Sequence, residues 1–244
     1  MREEIAKLKR MGILAVPKLN FSSSHNQWLG KWREYLSTEA YYRVVEDVIA
    51  DVAEIFDESP LFHVGYDEES IRCQGNPIFE IVRLRQGDLW WHDFLHVVGE
   101  VEKHGLRAWM WSDYCWQHPD EFFRRMPKSV LQSNWYYGRD LSLEHLRALD
   151  AKGPNMGGLR EVEVGTFKTL DEAGYDQVPC GSTWSMYGFQ TKNFPEIVKH
   201  CRKTVAPERL KGFLMAPWLT ETKEFNRAQL LESVDNAAAA FALK

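Results

Sequence analysis

The sequence predicts an α/β fold of parallel strands joined by helical crossovers. Two patterns predict it. Short apolar runs alternate with amphipathic helical periods along almost the whole chain, which is how successive βα units read. Polar and aromatic residues gather at one end of each run, whereas Pro60, Pro127, Lys128 and Pro179 mark the other, so the strands share one functional rim. Six βα units follow an initial helix. A complete (β/α)₈ barrel usually takes about 250 residues and eight units. The 244 residues therefore read as an open α/β sheet or as an incomplete barrel of TIM type that starts inside a crossover helix and lacks two units. No G-x-G-x-x-G or Walker loop follows any strand, which weakens the nucleotide-binding, doubly wound alternative.

The elements follow in order. Residues 2–11 read as a helix ended by Gly12, and Ile13 to Phe21 as a strand. Ser22 to Ser37 is a polar, aromatic loop. Thr38 to Phe56 is a helix whose Tyr42, Val45, Val48, Ile49, Val52 and Ile55 share one face. Leu61 to Tyr66 is a short continuous apolar run, as in a buried strand. Asp88 to His104 is a helix closed by Gly105, and Arg107 to Ser112 a strand. Pro119 opens a short helix to Arg125. Ser129 to Tyr136 is a strand and Leu143 to Ala151 a helix. Gly153 to Gly165 reads as a long loop, because its glycines interrupt any period. Phe167 to Ala173 is helical, Gln177 to Thr183 a strand, Phe194 to Val205 a helix, Gly212 to Ala216 a strand, and Arg227 to Leu243 the closing helix.

Hydrophobic residues make up 44% and charged residues 27%, a globular composition that fits one domain over residues 1–244. The net charge of -5 argues against general nucleic-acid binding. No apolar stretch is long enough to span a membrane. The N-terminus reads as a charged helix start, not a signal peptide, and leaves the compartment open. Cys73, Cys115, Cys180 and Cys201 are too scattered for a zinc site or a disulfide framework, so free thiols are expected. No cofactor is implied. The outlying number is Trp 10. Many of these indoles fall at strand ends, where rigid, flat side chains with one donor suit the floor of a sugar pocket.

The most informative stretch is Leu61-Phe62-His63-Val64-Gly65-Tyr66-Asp67-Glu68-Glu69, an apolar strand that ends in acid. Alternation places His63, Gly65 and Asp67 on one face. Adjacent carboxylates raise each other's pKa, so one can stay protonated beside an ionised partner. The other strand ends add Lys18 and Asn20, then Trp109, Trp111 and Asp113, then Gln132, Asn134 and Tyr136 with Trp135 on the opposite face, then Trp184 and Tyr187, and last Trp218 and Glu221. His25 reads as loop surface. His92 and His96 have the i, i+4 spacing of a zinc pair, but no third ligand is evident and no metal is expected. Cys115 reads as packing.

The run His63-Val64-Gly65-Tyr66-Asp67-Glu68 resembles the H-x-G-G-D-E strand of the β-N-acetylhexosaminidases of glycoside hydrolase family 20. Trp109-Met110-Trp111-Ser112-Asp113, Asn134-Trp135-Tyr136-Tyr137 and Ala216-Pro217-Trp218 resemble the aromatic pocket strands of that family. The resemblance runs from about Ile13 to the end and implies a (β/α)₈ barrel without its first two strands. It implies removal of terminal N-acetylhexosamine by a retaining, substrate-assisted variant of the two-carboxylate scheme. Glu68 would be the general acid and base, and Asp67 would orient the 2-acetamido group. Trp111, Trp135, Trp184 and Trp218 would wall the sugar, Asp113 and Glu221 would hold ring hydroxyls, Tyr136 or Tyr187 would bond the acetamido oxygen, and His63 would orient a carboxylate. The partner implied is an N-acetylhexosamine glycan, and relatives are often exported. Tyr66 departs from the pattern, standing where the family has its second glycine, and the family's early-strand arginine has no counterpart. Two other readings stand beside this one. One is a non-catalytic carbohydrate-binding protein on a degraded barrel. The other is a metal-dependent barrel hydrolase using His63, Asp67, His92 or His96. A homodimer across the open barrel seam is expected independently of which reading holds.

Overall fold

The structure is a computed structural model and describes residues 1–69, 85–153, 158–182, 185–186, 189–190, 193–217 and 224–242. The chain forms two compact units, Met1–Tyr114 with Ser129–Leu131, and Cys115–Lys128 with Gln132–Lys244.

In the first unit, α1 (Arg2–Arg10) buries no residue and is held by ion pairs from Arg2 to Glu54 and from Lys9 to Glu58. Gly12 ends it with φ 75°, as the sequence predicts. The stretch expected as the first strand runs beside β1 (Leu61–Gly65). It is tied there by His63 N to Pro17 O (2.9 Å), Leu19 N to His63 O (3.0 Å) and Phe21 N to Val64 O (3.0 Å). Only one bridge, Lys18 to His63, is regular, because Pro17 has no N–H to give. On its other side β1 pairs in parallel with β2 (Arg107–Trp111), with a register slip between His63 and Gly65.

The expected loop from Ser22 to Ser37 contains a 3₁₀ stretch, Gln27–Tyr35, kinked at Gly30. Helix α2 (Glu39–Ile55) starts at Thr38, whose hydroxyl accepts from Tyr41 N at 3.4 Å. It buries Tyr41, Val45 and Ile49 at i, i+4 spacing. It packs on α3 (Gly87–Lys103), which buries Trp90, Trp91, Phe94, Val97, Val98 and Val101. Trp90 stacks on Phe94 (5.0 Å) and on Tyr114 (3.9 Å), so an aromatic core lies against the helix.

The second unit repeats the parallel pattern. After α4 (Tyr114–Gln117) and α5 (Pro119–Arg125), β3 (Leu131–Ser133) leads into parallel bridges, Gln132 to Gln177 and Trp135 to Cys180. Next, β4 (Cys180–Ser182) pairs in parallel with β7 (Leu214–Ala216). Between them lie two short antiparallel strands, β5 (Ser185–Met186) and β6 (Phe189–Gln190). Among the described residues, each unit shows three bridged parallel segments.

Helices α6 (Leu143–Asp150), α7 (Arg160–Glu172), α8 (Phe194–Thr204) and α9 (Glu224–Ala242) complete the unit. The expected loop from Gly153 to Gly165 is corrected here, because α7 begins at Arg160. The carboxylate of Asp150 accepts from Arg160 N (2.8 Å) and Glu161 N (3.0 Å), capping α7 from the end of α6. That cap comes from outside the window where the glycines hide the period. Cys115, Cys180 and Cys201 are buried thiols, with no disulfide among the described residues. Among those residues no helix is long and apolar enough to cross a membrane.

Candidate active site

The site grows from the broken end of β1. Gly65, Tyr66 and Glu68 have φ of 76°, 67° and 56°, so the strand leaves the extended region just where the acids begin. Left-handed conformations in non-glycine residues cost about 1–3 kcal/mol each and persist only when their surroundings enforce them. Asn20 does much of the enforcing. Its Oδ1 accepts from Tyr66 N (3.1 Å) and Ser22 N (3.0 Å), and its Nδ2 donates to Asp67 Oδ1 at 2.5 Å. Its own carbonyl accepts the Trp28 indole N–H at 2.7 Å. The fit requires glycine at 65, where a Cβ would sit 2.1 Å from Asn20 Oδ1 and 2.8 Å from Asn20 Cα. Gly65→Ala is therefore expected to cost at least about 1–3 kcal/mol, from overpacking and from a positive φ together. A melting curve unchanged from wild type would contradict this contact.

Alternation predicts one face for His63, Gly65 and Asp67. The break changes what each residue does. The Tyr66 ring turns into the core, 1% exposed, edge-on to Trp90 (5.5 Å) and Phe94 (5.0 Å). The bulky replacement for the second glycine therefore points away from the acids. Asp67 is 9% exposed, and its carbonyl accepts from Ser24 Oγ at 3.1 Å. Glu68 is half-buried, and its backbone N–H donates to Asp113 Oδ2 at 2.9 Å. His25 Nε2 lies 2.9 Å from Glu68 Oε2 and 3.6 Å from Asp67 Oδ2. The sequence reading of His25 as loop surface is corrected. Its place just beyond the mouth of the first strand was the available signal.

Behind the acids lies a buried ionic anchor. Arg85 donates Nε and Nη2 to the two oxygens of Glu69 at 2.7 and 2.8 Å, Nη2 to Phe21 O at 2.8 Å, and Nη1 to Asp93 Oδ2 at 3.1 Å. Ser37 and Tyr42 add hydroxyl bonds to Asp93, both at 2.5 Å. Glu69 directly follows Glu68, so the anchor fixes the loop that carries the pair.

The electrostatics separate these groups. Burial raises the Asp67 pKa and the Glu68 charge adds to it, while His25 and the Asn20 hydrogen bond oppose the rise. Burial, helped by the charges of Asp67 and Glu68, pushes Asp113 up to about 8. The hydrogen bond to Glu68 raises His25, against its own burial. Burial and the Lys18 charge hold His63 well below the usual imidazole range, so it is neutral. His63 Nδ1 accepts from Gly65 N at 3.1 Å, and its ring meets Trp109 (4.7 Å) and Trp111 (4.9 Å) edge-on. In this structure His63 braces the strand break and does not contact a carboxylate among the described residues, which corrects the expected orienting role. Lys18 Nζ stands 5.5 Å from the Trp111 ring centre.

Asp113 provides a pH test. Its folded pKa exceeds its unfolded value, so its stabilising contribution is complete below about pH 4 and is lost as pH rises toward about 8. Asp113→Asn removes that titration. The melting temperature of wild type is expected to fall more steeply between pH 4 and 9 than that of the variant, and parallel curves would refute the assignment.

Of the remaining expected site residues, Trp135 lies in the second unit, stacked on Tyr137 (5.1 Å) and edge-on to Trp116 (4.6 Å). Tyr136 is a correction. It is 4% exposed in a core cluster with Leu146, Val164, Phe167, Ile197, Cys201 and Val205, so its ring packs on helices where a substrate contact was expected. Trp184, Tyr187, Trp218 and Glu221 lie outside the described residues. Among the described residues, two groups bring three ligand atoms within 4.8 Å of one another, His25–Asp67–Glu68 and Glu46–His96–Glu100. The first contains Asp67 and the second His96, but neither contains His63 or His92, so the four residues weighed from sequence do not come together in one group. His92 instead meets the Tyr42 hydroxyl at 3.0 Å.

No protein-family model and no curated protein matches the chain. Solved structures do. The exo-β-N-acetylglucosaminidase of glycoside hydrolase family 20 from Vibrio harveyi, in complex with N-acetylglucosamine, matches 98% of this chain with a TM-score of 0.64 and 14% identity. The tandem family 20 catalytic modules of the pneumococcal exo-β-D-N-acetylglucosaminidase StrH match 98% with a TM-score of 0.52 and 16% identity. The chain shares the family 20 fold. That is a TIM-barrel-type α/β fold. Dispersin B matches 98% of the chain with a TM-score of 0.50 and 15% identity. This chain covers 40% of the Vibrio enzyme, 64% of StrH and 74% of Dispersin B. At these identities the likeness is one of fold.

Proposed function

We propose that the chain is a glycoside hydrolase that removes terminal N-acetylhexosamine with retention of configuration. The observation that carries the reading is the pair Asp67 and Glu68 at the mouth of a buried parallel strand, given unequal surroundings by Asn20 on one side and His25 on the other. The likeness in fold to structures described as N-acetylglucosaminidases supports it.

Glu68 protonates the departing glycosidic oxygen as the C–O bond breaks. Asp67 accepts the N–H of the 2-acetamido group and stabilises the positive charge that develops as its carbonyl oxygen attacks the anomeric carbon. A cyclic oxazolinium forms, so no covalent enzyme intermediate is needed. Glu68, now a carboxylate, takes a proton from the water that opens the ring. His25 lies within hydrogen-bond reach of Glu68 and orients it. Asp113 Oδ1, which has no hydrogen-bond partner among the described residues, is the atom left for a ring hydroxyl, and on sequence grounds Trp111, 3% exposed with His63 edge-on to its ring, stays a proposed sugar contact. On sequence grounds Trp135, Trp184, Trp218 and Glu221 stay proposed sugar contacts, with Tyr187 for the acetamido oxygen.

The test is turnover of an aryl N-acetyl-β-glucosaminide, with the configuration of the first-formed sugar followed by proton NMR. Release of the β-anomer is expected. Saturable sugar binding with no release of the aryl alcohol would overturn the reading in favour of a binding protein.

A further inference from the structure

Asp67 and Glu68 adjoin in sequence, yet each is held by a different residue from a different strand. Asn20 stands on the first parallel segment, between Leu19 and Phe21, and Asp113 beyond β2. We propose that these are separate positioning residues, Asn20 for Asp67 and Asp113 for Glu68, so that the two halves of the reaction can be damaged independently. The inference rests on the glycosidase reading above.

The orientation of Asn20 is fixed by its donors. Two backbone N–H groups, from Ser22 and Tyr66, require an acceptor, which makes that atom Oδ1 and turns the NH₂ toward Asp67. Asp67 Oδ1 therefore faces a donor, which favours the ionised form that a nearby positive charge needs. Asp113 acts differently. It grips no side-chain atom of Glu68; its Oδ2 takes the backbone N–H of a residue held at φ 56°. Without that acceptor Glu68 can relax to an ordinary negative φ, which swings its carboxyl away from His25 and from the leaving oxygen. Asp113 is only 8% exposed, so water does not readily replace it.

The two roles separate by leaving group. An aryl alcohol with a low pKa departs with little proton donation, whereas a sugar alcohol requires the acid. Asp113→Ala is expected to lower kcat for an N-acetylglucosaminyl disaccharide about 100-fold and for a nitrophenyl glycoside less than about 10-fold, within the range general acids contribute. KM should rise by a similar factor for both, because the ring hydroxyl assigned to Asp113 Oδ1 is common to the two substrates. Asp113→Asn keeps an acceptor for Glu68 N and is expected to recover the disaccharide rate to within about 10-fold of wild type. Asn20→Asp keeps the acceptor for Ser22 and Tyr66 but sets a second carboxyl against Asp67, and the two then share a proton, which removes the full charge that faces the oxazolinium. It should lower both rates by similar factors, because oxazolinium formation is common to both substrates. Melting temperatures of all variants check folding, and Asn20→Asp and Asp113→Asn are close enough in shape to keep the test valid if an alanine variant unfolds. Equal losses on both substrates in Asp113→Ala, no rescue by Asp113→Asn, or a leaving-group dependence in Asn20→Asp would each overturn the assignment. A wild-type chain that turns over neither substrate removes the glycosidase reading itself, which is a different outcome.

Discussion

Glu68→Gln is expected to lower kcat against an N-acetylglucosaminyl disaccharide by about 10²–10⁴-fold, the range that a positioned proton donor supplies. Gln has the shape of Glu and can keep the contact with His25, so calorimetric binding of N-acetylglucosamine should stay close to wild type. That combination, lost chemistry with retained affinity, distinguishes a group acting on the reacting atoms from one that only shapes the pocket. A variant within about tenfold of wild-type kcat would remove Glu68 from the role of acid. Asp67→Asn should also fall steeply, but by losing the charge that faces the oxazolinium. It should therefore be impaired even with the best leaving groups.

The largest stability effect is expected at Arg85. Its side chain is 1% exposed, and so is that of Glu69, while that of Asp93 is fully buried. Arg85→Ala leaves two carboxylates in the interior without their cation. Breaking a buried pair in this way costs about 3–5 kcal/mol. A protein of this size loses about 2–4 °C for each kcal/mol, so a fall in melting temperature of about 10 °C is expected, measured by calorimetry. Activity should fall with it, since Glu69 adjoins the proposed acid. A triple variant, Arg85→Met with Glu69→Gln and Asp93→Asn, removes all three charges and should recover much of the loss, because buried ion pairs often add little over well-packed neutral groups. If Arg85→Ala melts with wild type, the anchor contributes nothing to the fold.

Much of the site could be read from sequence because it is local. The strand from Leu61, the acids that end it and the alternation of Trp109, Trp111 and Asp113 lie in runs of a few residues, where period and burial show. What escaped is long-range. Asn20 reaches Asp67 across 47 positions, and Arg85 reaches Glu69 across 16. No periodicity marks such pairs, since a guanidinium in a polar stretch looks like any exposed one until the chain closes around it. The α7 start was hidden for the same reason, its cap being Asp150 on the preceding helix. Tyr136 shares a face with Asn134, as alternation predicts, but Asn134 Nδ2 bonds Glu163 O and Tyr136 packs with Val164 and Phe167, so that face meets α7. Nothing local in the sequence says which face a helix covers.

Tyr66 changes what defines this site. At φ 67° it occupies the place where the family pattern has glycine. Its backbone penalty of about 1–3 kcal/mol is matched by the 1.5–3 kcal/mol gained, roughly, when a large side chain is buried, here against Trp90 and Phe94. A letter pattern that demands glycine there would pass over chains of this kind. The trait to search for is a torsion angle together with a hollow behind it large enough to hide a ring.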